Sequence, residues 1–172
     1  MIFPRNSKEK SVYFFSMLVS RWINAGKVLR NFKPRRILCV REDEIGDLCY
    51  SLHIFESLKK QFPDSEITLL CRPFAASLVK HDPHLHQVVS SWNELTGKYD
   101  LMIDLRESWR SCRYAISRLP GLRLDRGSVR LSNKLKGGHP HEIETNLQLI
   151  SSVVEESNRV LIPKLFPGSE EM

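Results

Sequence analysis

Apolar residues along this chain fall into two rhythms, and the alternation between them predicts the fold. From 11 to 32 the spacing is helical: Phe15, Leu18, Trp22, Ala25 and Leu29 recur every three or four positions, with Gly26 a weak point. After Pro34, short apolar runs alternate with amphipathic stretches. The segments 37–40, 67–71, 86–90, 99–105 and 122–125 read as strands. The segments 47–62, 73–80, 108–119 and 141–154 read as helices, the first with apolar residues at 48, 52, 55, 58 and 62. Pro63-Asp64 marks a turn, and Gly137-Gly138 breaks the chain before the last helix. Strands alternating with helices predict an α/β domain with a parallel sheet and right-handed crossovers. The tail 161–172, with Pro163, Pro167 and Gly168, has no periodicity and reads as a linker.

Composition narrows the class. A chain of 172 residues with 41% hydrophobic content suits one globular domain with a real core. No 18-residue apolar run exists to cross a membrane. The run 12–19 after Lys8 and Lys10 lacks a small-residue cleavage site and is not read as a signal peptide. Cys39, Cys49, Cys71 and Cys112 include no C-x-x-C pair; Cys39 and Cys71 sit in apolar runs, which predicts reduced, buried thiols and a cytoplasmic setting. A net charge of +6 favours an anionic partner. Between Glu9 and Glu42 there is no acidic residue but there are eight Lys or Arg. The helix over 11–32 therefore either lies on an anionic bilayer or packs on the domain.

The chemistry concentrates in R-R-I-L-C-V-R-E-D-E-I-G-D, residues 35–47. A strand runs into a polar loop that narrows at Gly46 and puts Asp47 at a helix start. In parallel α/β sheets, ligands bind in the crevice at such strand C-terminal ends. Asp47 is then either a helix N-cap or a general base toward an attacking hydroxyl. The loop is neither a G-x-G-x-x-G nor a G-K-[ST] phosphate cradle. Arg41, Arg72 and Arg106 follow strands, with Arg110 and Arg113 beyond, and suggest an anion-binding rim at one sheet edge. His139 and His141 flank the start of the last helix, where a ligand contact is plausible, while Glu142 and Glu144 suit its dipole. The run H-D-P-H-L-H lacks an i, i+4 pair and is not read as a metal site.

These pieces together resemble glycosyltransferase family 9, the ADP-heptose:lipopolysaccharide heptosyltransferase family. K-P-R-R-I-L-C-V-R-E-D-E-I-G-D-L-C-Y-S-L and L-K-K-Q-F-P-D-S-E-I-T-L-L open the match. Y-D-L-M-I-D-L-R at 99–106, L-D-R-G at 124–127 and H-E-I-E-T-N-L-Q-L-I at 141–150 continue it in order, over about 33–155. The resemblance implies the N-terminal half of a GT-B architecture. It divides the chain into a basic amphipathic helix (1–33), a Rossmann-like acceptor-side domain (34–155) and an interdomain linker (156–172). It implies inverting, metal-independent sugar transfer to a lipopolysaccharide-type acceptor. Asp47 would be the base, and Arg41, Gly46, Arg72, Arg106, His139 and His141 would hold an anionic glycolipid or saccharide. No cofactor is implied in this half: a nucleotide-sugar donor such as ADP-heptose would need a separate donor-binding domain.

The sequence departs from the family at Glu42-Asp43-Glu44, an acidic loop where small polar or basic residues are usual. It also lacks a donor domain, so this chain alone is expected to transfer no sugar. Three accounts stay open: half of a split transferase, a truncated remnant, or a non-catalytic module that binds an anionic saccharide or lipid headgroup. A basic nucleic-acid-binding α/β protein is the alternative of a different class, though no nucleic-acid motif is present. The expected location is cytoplasmic and peripheral to the inner membrane.

Overall fold

The computed structural model describes residues 7–27 and 32–167. The elements in chain order are α1 (Ser7–Asn24), β1 (Arg36–Arg41), α2 (Ile45–Cys49), α3 (Leu52–Gln61), β2 (Glu66–Cys71), α4 (Pro73–Ala76), β3 (Gln87–Val89), β4 (Leu101–Asp104), α5 (Trp109–Arg118), β5 (Leu122–Asp125), α6 (Arg126–Leu135) and α7 (Glu142–Ile150). The five strands form one parallel sheet in the order β3-β2-β1-β4-β5. The chain winds outward from β1 to β3, then crosses back to β4. The topological switch point, where such sheets open a crevice, therefore lies between β1 and β4.

The strands were legible because both faces of this sheet are covered, so they read as continuous apolar runs. Alternate residues divide between two cores. Ile37, Cys39, Ile67, Leu69, Leu101 and Ile103 face α3 and α7. Leu38, Val40, Leu70 and Met102 face the other way, onto Val19 and Ile23 of α1 and Cys112 and Ala115 of α5. Cys39, Cys71 and Cys112 are buried free thiols, and burial raises each of their pKa values.

Several predicted elements change shape. The helix expected over 47–62 breaks into α2 and α3: the Ser51 N–H donates to the Leu48 carbonyl at 2.8 Å, and the Asp47 carbonyl is taken instead by the Ser51 hydroxyl at 2.9 Å and the Arg41 guanidinium. The last helix stops at Ile150 and gives way to turns, not at 154. Residues 126–135, read as part of no element, form α6, capped by the Asp125 carboxylate on the Ser128 N–H at 2.9 Å. Gly121 opens β5 beside the Asp100 carbonyl, with which a Cβ would collide.

The helix expected over 11–32 ends at Asn24, and Ala25 and Gly26 turn out of it with Gly26 at φ +71°. Leu29 lies outside the described residues. The inner face of α1 is not the aromatic one. Ser16, Val19, Ser20 and Ile23 are buried, while Leu18 and Trp22 are exposed. The reason is Arg123 of β5, fully buried beneath α1. Its guanidinium pairs with Asp104 at 2.6 Å and donates to the Ser16 carbonyl, the Ser16 hydroxyl and the Ser20 hydroxyl, each at 2.8 Å. Small hydroxyl side chains are what leave room for it and satisfy it. Asn24 then closes the β5 edge: its amide donates to the Arg123 carbonyl at 2.6 Å, and the Arg123 N–H donates back at 2.9 Å. Burial lifts Asp104 to about 6 against the pull of the guanidinium.

Removing one member of this pair strands the other in the core. Arg123→Ala should cost about 3–5 kcal/mol in urea unfolding, whereas the double change Asp104→Leu, Arg123→Met should cost clearly less than the single one. Equal losses would show that the pair's charge compensation does not matter.

Candidate functional site

At the C-terminal edge of the sheet, the end of β1 carries Arg41, a fully buried arginine. Its guanidinium donates to the Leu105 carbonyl beyond β4 and twice to the Asp47 carbonyl of α2, at 3.1 and 3.0 Å. It also donates to Glu142 at the start of α7 at 3.2 Å. The Asp43 and Asp47 carboxylates stand 3.6 and 3.5 Å from it. Glu142 in turn binds Arg126, whose Nη1 donates to the same Leu105 carbonyl at 2.8 Å, and Arg130 at 3.2 Å. Three guanidinium groups around it hold the Glu142 carboxyl below the usual range despite its burial.

The acidic loop is tied down by arginine. Arg72 and Arg106 both donate to the Glu42 carbonyl, at 2.9 and 2.8 Å, and Arg106 stands 3.5 Å from Asp43. The Glu42 carboxylate accepts from the Trp92 indole N–H at 3.0 Å. Burial raises the Asp43 pKa, while Arg41 and Arg106 oppose the rise. The carboxylates of Glu42 and Asp43 thus neutralise the rim from within. The uniform cationic rim read from the sequence is corrected on three counts. Arg41 is buried with its N–H groups engaged. Arg110 and Arg113 point outward from α5, and β3 ends at Val89 with no arginine after it.

Asp47 is not the helix cap. Glu44 holds that position without a side-chain bond, and Asp47 lies in the first turn of α2. Its side chain is 39% exposed, the carboxylate half open to solvent and half against Arg41. Gly46 is exposed, and a Cβ there would meet nothing within 4 Å, so no crowding demands glycine. His141 caps α7 through its ring nitrogen, accepting from the Ile143 N–H at 3.3 Å, and its ring meets Tyr50 edge-on at 5.3 Å. His139 is exposed in the preceding loop and has interactions of its own. In the H-D-P-H-L-H run, His84 bonds Asp82 at 2.8 Å and meets the Phe166 ring of the tail edge-on.

The structure brings Arg41, Asp47, Arg72 and Arg106 around one loop, with His141 beside Tyr50 just after α2. It adds Glu107, Arg126, Arg130 and Glu142. Glu107 is buried with one carboxylate oxygen unpartnered, and burial together with Asp104 pushes it up to about 7. Gly127 makes room for it: a Cβ there would sit 3.1 Å from the Glu107 Cγ and 3.2 Å from the Asp125 carboxylate. The L-D-R-G run was visible in the sequence; its pairing with Glu142, 16 residues on, was not. A half-exposed carboxylate beside a guanidinium, flanked by arginines with unused N–H groups, can accept a proton from a hydroxyl and hold nearby anionic oxygens.

No family model and no curated protein matches this chain. Solved structures do. A glycosyl transferase family 9 structure from Veillonella parvula DSM 2008 superposes with a TM-score of 0.63 at 16% identity, covering 79% of this chain and 46% of that one. This chain shares the fold of glycosyltransferase family 9 structures. E. coli ADP-heptose lps heptosyltransferase II matches with a TM-score of 0.56 at 16% identity, over 78% of this chain and 47% of that one. E. coli heptosyltransferase WaaC, solved with ADP, matches at 0.53 and 16%, over 75% and 50%. The chain therefore spans about half the length of each.

Glu107 gives the site a pH signature. Its folded pKa of about 7 lies above the ordinary 4.5, so the folded chain holds the proton more tightly. Its contribution to stability is full below about 4.5 and is lost as pH rises through 7. Glu107→Gln should therefore gain stability relative to the parent between pH 5 and pH 8, read from urea midpoints. A constant difference would show that Glu107 does not hold a proton in the folded state.

Proposed function

We propose that this chain is the acceptor-side half of an inverting, heptosyltransferase-like glycosyltransferase. The observation that carries this reading is the half-exposed Asp47 carboxylate, held against buried Arg41 at the switch point of a sheet shared with family 9 structures. An acceptor hydroxyl placed over Asp47 would lose its proton to that carboxylate as its oxygen bonds the anomeric carbon. The bond from that carbon to the donor's phosphate breaks in the same displacement, and the nucleoside diphosphate leaves with the electron pair. No metal takes part in this scheme. The donor, a nucleotide sugar such as ADP-heptose, is held by a second domain of the GT-B type, with 156–172 as the connection.

The acceptor in this reading is a phosphorylated saccharide of the lipopolysaccharide type. Arg72 and Arg106 supply the N–H groups that face it, and His139 and His141 line the opposite side beside α7. Because Glu42 and Asp43 compensate much of the local cation, recognition rests on directed hydrogen bonds more than on net field. Such an acceptor sits in a membrane, which puts the protein at the cytoplasmic face of the inner membrane. Nucleic acid is not a partner in this reading.

Titration of the purified chain with a phosphorylated core saccharide tests the acceptor half. Binding should weaken about tenfold in Arg106→Ala, the loss of one charge-assisted contact, and stay unchanged in Asp47→Asn. With a donor domain supplied, Asp47→Asn should lower kcat by about 10²–10⁴ with little change in KM. Absence of saccharide binding, or transfer undiminished in Asp47→Asn, would overturn the reading.

A further inference from the structure

We propose that the outer face of α1 and α5 is a docking surface for an anionic lipid bilayer. Phe15 of α1 meets Trp109 at the start of α5, with ring centroids 5.0 Å apart, and Lys27 just past α1 reaches the Pro120 carbonyl just past α5 at 3.4 Å. The two helices therefore run side by side in the same direction. Their inner faces cover the sheet, and their outer faces open together to solvent.

That outer face is apolar where a soluble surface would be polar. Phe14, Leu18 and Trp22 form an i, i+4, i+8 row on α1, with Trp22 59% exposed. Trp109, Ile116 and Leu119 are exposed on and just after α5, with Trp109 at 53%. Single exposed apolar residues need no explanation; six on two adjacent helices do. The cations among them are Arg21, Arg110, Arg113 and Arg118, all exposed. No Asp or Glu occurs from 10 to 41 or from 108 to 124. The face thus offers side chains that bury in the acyl boundary, two tryptophans suited to the headgroup level, and arginines for anionic headgroups.

Charge selects this occupant over others. A second copy of the same face would set arginine against arginine. A nucleic acid would leave Leu18, Ile116 and Leu119 uncovered. A bilayer with anionic lipid satisfies both components at once. No described helix is long and apolar enough to cross the membrane, so the contact is interfacial.

The placement deepens the reading of a lipid-borne acceptor. Because α5 leaves the C-terminal end of β4, its first residue, Trp109, lies at the sheet edge that carries Arg106 and Asp47. Docking through this face holds the candidate site beside the lipid surface. The evidence for the face does not depend on sugar transfer, and saccharide-free vesicles separate the two.

The test is co-sedimentation of the full chain with phosphatidylcholine vesicles and with vesicles containing one-quarter phosphatidylglycerol. Binding should appear with the anionic vesicles, fall steeply with salt, and shift the tryptophan emission to the blue. Leu18→Ser with Trp22→Ser should weaken it about tenfold or more, and Arg110→Glu with Arg113→Glu by about fivefold per arginine. Lys80→Glu, near the β3 edge on the far side of the sheet, should leave it unchanged. The replaced residues are exposed, and circular dichroism would verify that the variants fold. No vesicle binding, or binding indifferent to both double variants, would overturn the proposal. So would self-association abolished by Leu18→Ser with Trp22→Ser, which would assign the face to a second copy.

Discussion

The buried guanidinium of Arg41 is the constraint on which the ligand edge of this sheet depends. Strand ends, a short helix and a distant helix would otherwise have no shared fixed point there. Arg41 supplies one by donating to the carbonyl just after β4, to a carbonyl of α2 and to a carboxylate from α7. A buried cation with fixed fork geometry tolerates little displacement of its acceptors, so the loop 42–47 is held as part of the frame. The position of Asp47 follows from this. Its backbone carbonyl is an acceptor of the fork, while its carboxylate is left half in solvent. The residue is anchored by its main chain, with its carboxylate partly in solvent and partly against Arg41.

A second buried arginine organises the opposite layer. Arg123 could not sit beneath a helix of large apolar residues, so α1 presents Ser16 and Ser20 to it and turns Leu18 and Trp22 outward. Burying a polar centre in this way costs desolvation that only a complete set of partners offsets. The consequence reaches past stability. Because Ser16 and Ser20 take their share of the inner face beside Val19 and Ile23, Phe14, Leu18 and Trp22 lie at the surface.

The same facts explain what could be read from the sequence. β1, β2 and β4 were legible because burial on both faces leaves uninterrupted apolar runs such as I-L-C-V and L-M-I-D-L. The order of elements after Pro34 followed from the alternation of those runs with amphipathic stretches. The sequence left open which way α1 faces, because the residue that decides it, a charged arginine 99 positions beyond Asn24, is remote in the chain. α6 was missed because its sequence, R-G-S-V-R-L-S-N-K-L, is polar and Leu135 stands 81% exposed. At the site, the loop and its aspartate were visible as a local motif. The pairing of Arg41 and Arg126 with Glu142 was not, since Glu142 in a first helical turn looks the same whether it serves the dipole or three arginines.

The net charge of +6 acquires a location once these roles are separated. Arg41, Arg123 and Arg126 are buried and matched by Glu142 and Asp104, and Arg72 and Arg106 are turned onto the Glu42 carbonyl. Arg41, Arg123 and Arg126 therefore contribute no open cationic field. On α1 and α5, by contrast, Arg21, Arg110, Arg113 and Arg118 have no carboxylate near in sequence. A basic composition therefore says little about the crevice, where carboxylates stand among the arginines. It says more about the flank beside it, where unmatched arginines share a surface with exposed tryptophans. The two surfaces meet at the C-terminal end of β4, where Arg106 faces the loop and Trp109 faces outward. A ligand whose anionic head enters the crevice while its apolar body stays in a lipid layer would use both.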